Sequence, residues 1–112
     1  MSTIFNKIIN KEIPAEIVYE DDEVMAFEDV NAQAPIHILI IPKKEIPTIN
    51  DIDESDMRLV GKLVFIAKKI AVDKKINNDG YRLVMNCNEN GGQSVFHIHL
   101  HLMGGRKMCW PP

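Results

Sequence analysis

Apolar and polar positions along this chain follow helical spacing, strand alternation or a continuous apolar run, and these patterns predict its helices and strands. Ile4, Phe5, Ile8 and Ile9 make one apolar side behind Ser2 or Thr3, either of which can cap a short helix that Pro14 stops. Ile17-Val18-Tyr19-Glu20 and Val24-Met25-Ala26-Phe27 flank the acidic turn Asp21-Asp22-Glu23 and read as a hairpin. Residues 36–41 are apolar except for His37 and lie between Pro35 and Pro42, the pattern of a strand covered on both faces. Behind the cap candidates Asp53 and Ser55, a long helix is expected to about Val72, with Met57, Val60, Val64, Ala67 and Ala71 turned to the sheet. A second row, Leu59, Leu63, Ile66 and Ile70, widens the apolar arc beyond what one small sheet needs and suggests a partner subunit. Asn78-Asp79-Gly80 breaks the chain, and residues 81–87 and 95–103 are expected as the last strands. The prediction is an α+β fold: a mainly antiparallel sheet of five strands with one short and one long helix.

In residues 95–103 the three histidines alternate with apolar residues: Phe96-His97-Ile98-His99-Leu100-His101-Leu102. In a strand, that period places the three imidazoles on one face, where one small ligand could touch all three, and buries Ile98, Leu100 and Leu102 on the other. No packing argument calls for an imidazole at every such position. Three histidines could serve a catalytic zinc, but the preceding loop, Asn86 to Ser94, offers backbone N–H groups exposed by Gly91 and Gly92, amides and a hydroxyl. A concavity of donors suits an anion, so phosphoryl chemistry is favoured over a metal site and no metal is expected.

Composition narrows the partners. The 112 residues carry 13 Lys+Arg against 16 Asp+Glu, a net charge of −3, and adjacent lysines occur only as the separated pairs Lys43-Lys44, Lys68-Lys69 and Lys74-Lys75, so a nucleic acid polymer is a poor partner. The length fits one domain, residues 1–112, small enough that oligomerisation is a natural supplement to its stability. Cys87 and Cys109 form neither a disulfide framework nor a zinc-knuckle spacing, which points to a reducing compartment. The longest apolar run, Leu63 to Ala67, is far too short for a membrane span, and residues 1–7 lack a signal-like apolar region. The expectation is a cytoplasmic protein, with a nuclear location also open.

The run His97-Ile98-His99-Leu100-His101-Leu102 resembles the signature of the histidine triad (HIT) superfamily. Ile4-Phe5-Asn6-Lys7-Ile8-Ile9, Glu12-Ile13-Pro14-Ala15, Pro35-Ile36-His37, Ile41-Pro42-Lys43-Lys44, Gly91-Gly92-Gln93-Ser94 and the ending Gly104 to Pro112 are similar to its Hint branch, the histidine triad nucleotide-binding proteins. His101 argues against the uridylyltransferase branch, which has Gln there, and Trp110-Pro111-Pro112 against the Fhit branch. Glu28, Glu45 and Cys109 stand where many Hint proteins have histidine.

The resemblance implies an α+β meander whose two protomers join into one continuous sheet. It also implies metal-free hydrolysis of purine nucleoside phosphoramidates through a nucleotidyl-histidine intermediate. A nucleotide-binding scaffold with vestigial hydrolysis and a dinucleoside polyphosphate hydrolase are the alternatives. By motif position His99 would be the nucleophile, His101 would sit by the phosphate oxygens and help protonate the leaving amine, and His97 and His37 would complete the relay. Asn86, Gly92, Ser94 and the N–H of Val95 match the phosphate side, Asp29 the ribose acceptor, and Ile4, Phe5, Ile8, Phe27 and Leu39 the base slot. Trp110 would reach across to the partner's site. An imidazole suits the nucleophile because its unperturbed pKa of about 6.5 leaves much of it neutral near pH 7.

Overall fold

The computed structural model describes residues 3–112. Helix α1 spans Ile4–Ile9; Thr3 caps it, its hydroxyl accepting from the Asn6 N–H while the Asn6 side chain accepts from the Thr3 N–H at 2.8 Å. Ser2, the other cap candidate, lies outside the described residues. Phe5 and Ile8 are the buried face of α1, whereas Ile4 is half exposed.

Strands β1 (Ile17–Glu20) and β2 (Val24–Glu28) form the expected hairpin. Asp21 closes its turn by accepting the N–H groups of Glu23 and Val24, each at 2.8 Å. Strand β3 (Ile36–Pro42) pairs with β2 and, as its prolines and continuous apolar pattern require, is buried on both faces. The chain then passes through two 3₁₀ turns, Ile49–Asp51 and Glu54–Asp56, into helix α2 (Met57–Asp73). Asp53 caps the second turn rather than α2 itself. Strand β4 (Tyr81–Val84), the single helical turn α3 (Asn88–Gly91) and strand β5 (Leu100–Gly104) follow. The sheet order is β1-β2-β3-β5-β4 with antiparallel pairing throughout: α2 carries the chain to the far edge, and β5 returns between β4 and β3.

Period-two alternation sorts the sheet into two cores. Val24, Ala26, Ile38, Ile40, Leu100 and Leu102 face α2, while Met25, Phe27, Leu39 and Ile41 face α1 with Phe5 and Ile8. The rotation of α2 corrects the sequence expectation. Leu59, Leu63, Ile66 and Ile70 face the sheet with Ala67 and Ala71, whereas Met57 and Val64 are 66% and 48% exposed. Both rows have helical spacing, but the Leu/Ile row removes more apolar surface from water, each such side chain contributing about 1.5–3 kcal/mol. Flanking alanines let the backbone approach the strands. Truncating the fully buried Leu63 to Ala would cost about 2–5 kcal/mol.

The last two strands are shorter than expected. β4 stops at Val84, residues 88–91 are helical rather than loop, and β5 starts five residues after Val95, so His97 and His99 precede the regular strand. Among the described residues no helix is long and apolar enough to cross a membrane.

Candidate active site

The stretch leading into β5 is held by main-chain carbonyls of residues 42–47 instead of a regular ladder. His97 Nε2 donates to the Pro42 carbonyl at 2.7 Å, the Ile98 N–H to Ile46 at 2.8 Å, and the side-chain amide of Gln93 to Pro47 at 2.7 Å. Pro42 ends β3, so the histidine segment is registered against the same strand that carries His37 and Leu39. Within the sheet Leu39 lies opposite His101, and His101 opposite Val84.

This anchoring separates the three motif histidines by depth. His97 is 0% exposed and His99 6%, while His101 is partly open. His97 is thus closed to solvent while His99 and His101 keep some exposure, which corrects the expectation of three rings on one accessible strand face. The ring centroids of His99 and His101 lie 5.0 Å apart, and His37 is 5.2 Å from His101 on the other side. Phe5 packs edge-to-face on both inner rings, 5.1 Å from His99 and 5.9 Å from His97.

Hydrogen-bond direction assigns the protons. A carbonyl only accepts, so His97 carries hydrogen on Nε2, and its buried Nδ1 has no partner. His99 Nδ1 faces the His97 carbonyl at 2.8 Å and must be the N–H, which leaves the Nε2 of His99 with a free lone pair. The Gln33 N–H donates to His37 Nδ1 at 3.0 Å, so His37 Nε2 is protonated and donates to His101 Nδ1 at 2.9 Å. His101 Nε2 then keeps its hydrogen. The open part of the site thus offers one lone pair, on His99, beside one N–H donor, on His101.

Burial disfavours the charged form of His101, His37 and His97. Burial holds His101 down to about 4, with the nearby His99 and His37 acting in the same direction and the Asp29 carboxylate opposing them. Burial also lowers His37, partly offset by Asp29, whose Oδ2 lies 3.4 Å from His37 Nε2. His97 is lowered by burial against the opposing pull of the Pro42 carbonyl and of Glu45.

Asp29, His37 and His101 bring three donor atoms within 4.8 Å of one another, close enough to suggest a metal. The hydrogen bonds argue otherwise. A histidine that binds a metal through Nε2 needs hydrogen on Nδ1, where His37 already receives the Gln33 N–H. The cluster is wired as a hydrogen-bond chain.

The match of residues 10–108 to the model of the HIT domain decides the family. The chain belongs to the HIT family. It is 55% identical over 106 residues, 95% of this chain and 89% of the relative, to the purine nucleoside phosphoramidase of Escherichia coli K12, and to that of Shigella flexneri with the same coverage. Among solved structures, the HIT family hydrolase of Legionella pneumophila Philadelphia 1 superposes with a TM-score of 0.97 at 52% identity, covering 99% of each chain. A histidine triad protein from Clostridium difficile gives 0.94 at 44% identity, covering 97% of this chain and 95% of that one.

The positions that the HIT resemblance singled out fall into three places. Ile4, Phe5, Ile8, Phe27, Leu39 and Asp29 all line one small cavity of about 150 Å³ beside the histidines. Asn86, Gly92, Ser94 and Val95 belong to the segment around α3 that enters the histidine run, with Gly92 at φ 81°, a left-handed turn natural to glycine, and Ser94 exposed. Trp110 stands apart, 84% exposed and not part of the cavity lining.

Sequence reasoning missed several residues here. Ile13, Ala15 and Val30 also line the cavity. Val30, 96% exposed right after Asp29, carries no periodic signal, only the oddity of an apolar residue in a polar loop. Gln33 orients His37 through its main chain, which no side-chain pattern reports. Gln93 is buried between exposed neighbours, and its type alone does not announce that.

Proposed function

We propose that this chain hydrolyses purine nucleoside 5'-phosphoramidates by covalent catalysis on His99. The observation that carries the reading is the bond from His99 Nδ1–H to the His97 carbonyl, which aims an unprotonated Nε2 out of the chain beside the His101 donor. In the first step His99 Nε2 attacks phosphorus and the P–N bond to the leaving amine breaks. His101 Nε2–H hydrogen-bonds the phosphoryl group and passes its proton to the departing amine, and solvent returns a proton to His101. In the second step water attacks the nucleotidyl-histidine, the P–N bond to His99 breaks, the water gives up one proton to solvent, and the nucleoside monophosphate leaves.

The apolar cavity next to Phe5 and Leu39 suits a purine ring, Asp29 at its rim a ribose hydroxyl, and the donors from Gly92 to Val95 the phosphate. The phosphoramidase activity named for relatives 55% identical over most of the chain supports the same reading. The active form is a homodimer in the cytoplasm, working without a metal, a nucleic acid polymer or a membrane. Support for the dimer comes from the exposed Met57, Val64, Phe65 and Val72 along α2 and from the open edge of β4.

Turnover of an adenosine phosphoramidate beside a diadenosine polyphosphate tests the function. Release of AMP from the first is expected. Turnover of the polyphosphate alone selects the dinucleotide hydrolase, and turnover of neither selects a binding scaffold.

A further inference from the structure

Residues 88–95 have little regular structure to fix their shape. α3 is one turn long, Gly92 is left-handed, and Gly92 and Ser94 are both exposed. Between those two, Gln93 turns inward and is 7% exposed. Its side-chain oxygen accepts the Asn88 N–H at 2.8 Å, an amide at the start of α3 that has no intrahelical acceptor. Its nitrogen spends one hydrogen on the Pro47 carbonyl at 2.7 Å and the other on the Val95 carbonyl at 3.0 Å. One buried amide therefore joins the first residue of the segment, the last, and the 42–47 backing that also holds His97 and Ile98.

We infer that Gln93 is a positioning residue for phosphate: it touches no substrate, and it fixes the loop that presents the Ser94 hydroxyl and the neighbouring N–H groups beside His99. The inference rests on the reading that this loop receives the phosphoryl group. Each bond of Gln93 is directional, so shape alone cannot replace it. Gln93→Met keeps the length and bulk and loses all three bonds. Gln93→Glu keeps the acceptor but sets a carboxylate against the Pro47 and Val95 carbonyls.

The experiment compares affinities for AMP and for adenosine, which differ only in the phosphate, in wild type and both variants, together with kcat and KM for an adenosine phosphoramidate. Losing a buried hydrogen-bond set of this kind is expected to weaken AMP by roughly 10- to 100-fold. Adenosine should stay within about twofold, because the base cavity is formed by other residues. kcat should fall with AMP affinity. If Gln93→Met does not fold, the AMP-to-adenosine ratio in Gln93→Glu decides by itself.

An unchanged ratio in the folded variants, or equal weakening of both ligands, overturns the positioning role and leaves the proposed reaction standing. A wild type that binds AMP no better than adenosine and turns over no phosphoramidate removes the phosphate reading and this inference with it.

Discussion

His99 Nδ1 and the main-chain carbonyl of His97 lie 2.8 Å apart, and this single contact decides which nitrogen of His99 keeps a free lone pair. Donor and acceptor are two positions apart in sequence, so the orientation is local to the segment. It persists as long as Pro42 and Ile46 hold that segment in place. His99→Ala should abolish the covalent step, a loss of about 10⁶ in kcat by analogy with removal of other nucleophiles. Nucleoside monophosphate binding should survive, and rapid quench of wild type should trap the nucleotide on His99. A label on His101, or near-normal turnover by the variant, would sink the assignment.

In the proposed reaction His101 presents its N–H where charge develops on the phosphoryl group and the leaving amine. His101→Ala should cost about 10²–10⁴ in kcat/KM, the range a positioned proton donor supplies. The loss should shrink as the leaving group becomes a better one, because a weakly basic group departs with less need of a proton. A series of amines of falling basicity measures this; a constant loss across the series contradicts the role.

How far the site was legible in sequence depends on the distance over which each residue is controlled. β3 reads directly because Pro35 and Pro42 bracket it, and α1 because a cap candidate, Thr3, precedes one apolar side and Pro14 follows it. The rotation of α2 was misread, since two apolar rows at helical spacing lie side by side and only packing chooses between them. The alternation of His97, His99 and His101 announced a site, and family resemblance assigned the roles. The depth of His97 was hidden because its anchor, Pro42, is 55 residues away. Gln33 was equally invisible, since its contribution is a main-chain N–H that any residue except proline supplies.

The surface of α2 carries Met57, Val64, Phe65 and Val72, a row at helical spacing that α2 turns away from its own sheet. Sedimentation of wild type should give twice the chain mass, and Val64→Asp should shift it toward the single chain while leaving the fold intact, Val64 being 48% exposed. A wild type that is monomeric at micromolar concentration contradicts the dimer and the idea that Trp110 serves a partner's site.

Chelation tests the hydrogen-bond reading of Asp29, His37 and His101. With the Gln33 N–H occupying His37 Nδ1, activity should be unchanged after exhaustive treatment with a chelator. Loss of activity that zinc restores would show that a metal, and not a hydrogen-bond chain, organises these three groups.

The buried neutral rings make stability depend on pH in a defined direction. His101 has its folded pKa lowered to about 4 from an ordinary 6.5, so the unfolded chain binds the proton more readily than the native one. Its contribution is therefore complete above pH 6.5 and is lost progressively as the pH falls through the window toward 4. A shift of that size corresponds to roughly 3 kcal/mol across the window. His37 and His97 are lowered as well and act with the same sign, which steepens the fall. Urea midpoints measured between pH 7 and pH 4 should decline accordingly, and His101→Gln, which cannot titrate, should flatten the decline by about the share of one histidine. If the variant follows the wild-type curve unchanged, the ring of His101 is not held neutral by its burial beside His37 and His99, and the proton assignment built on that contact fails.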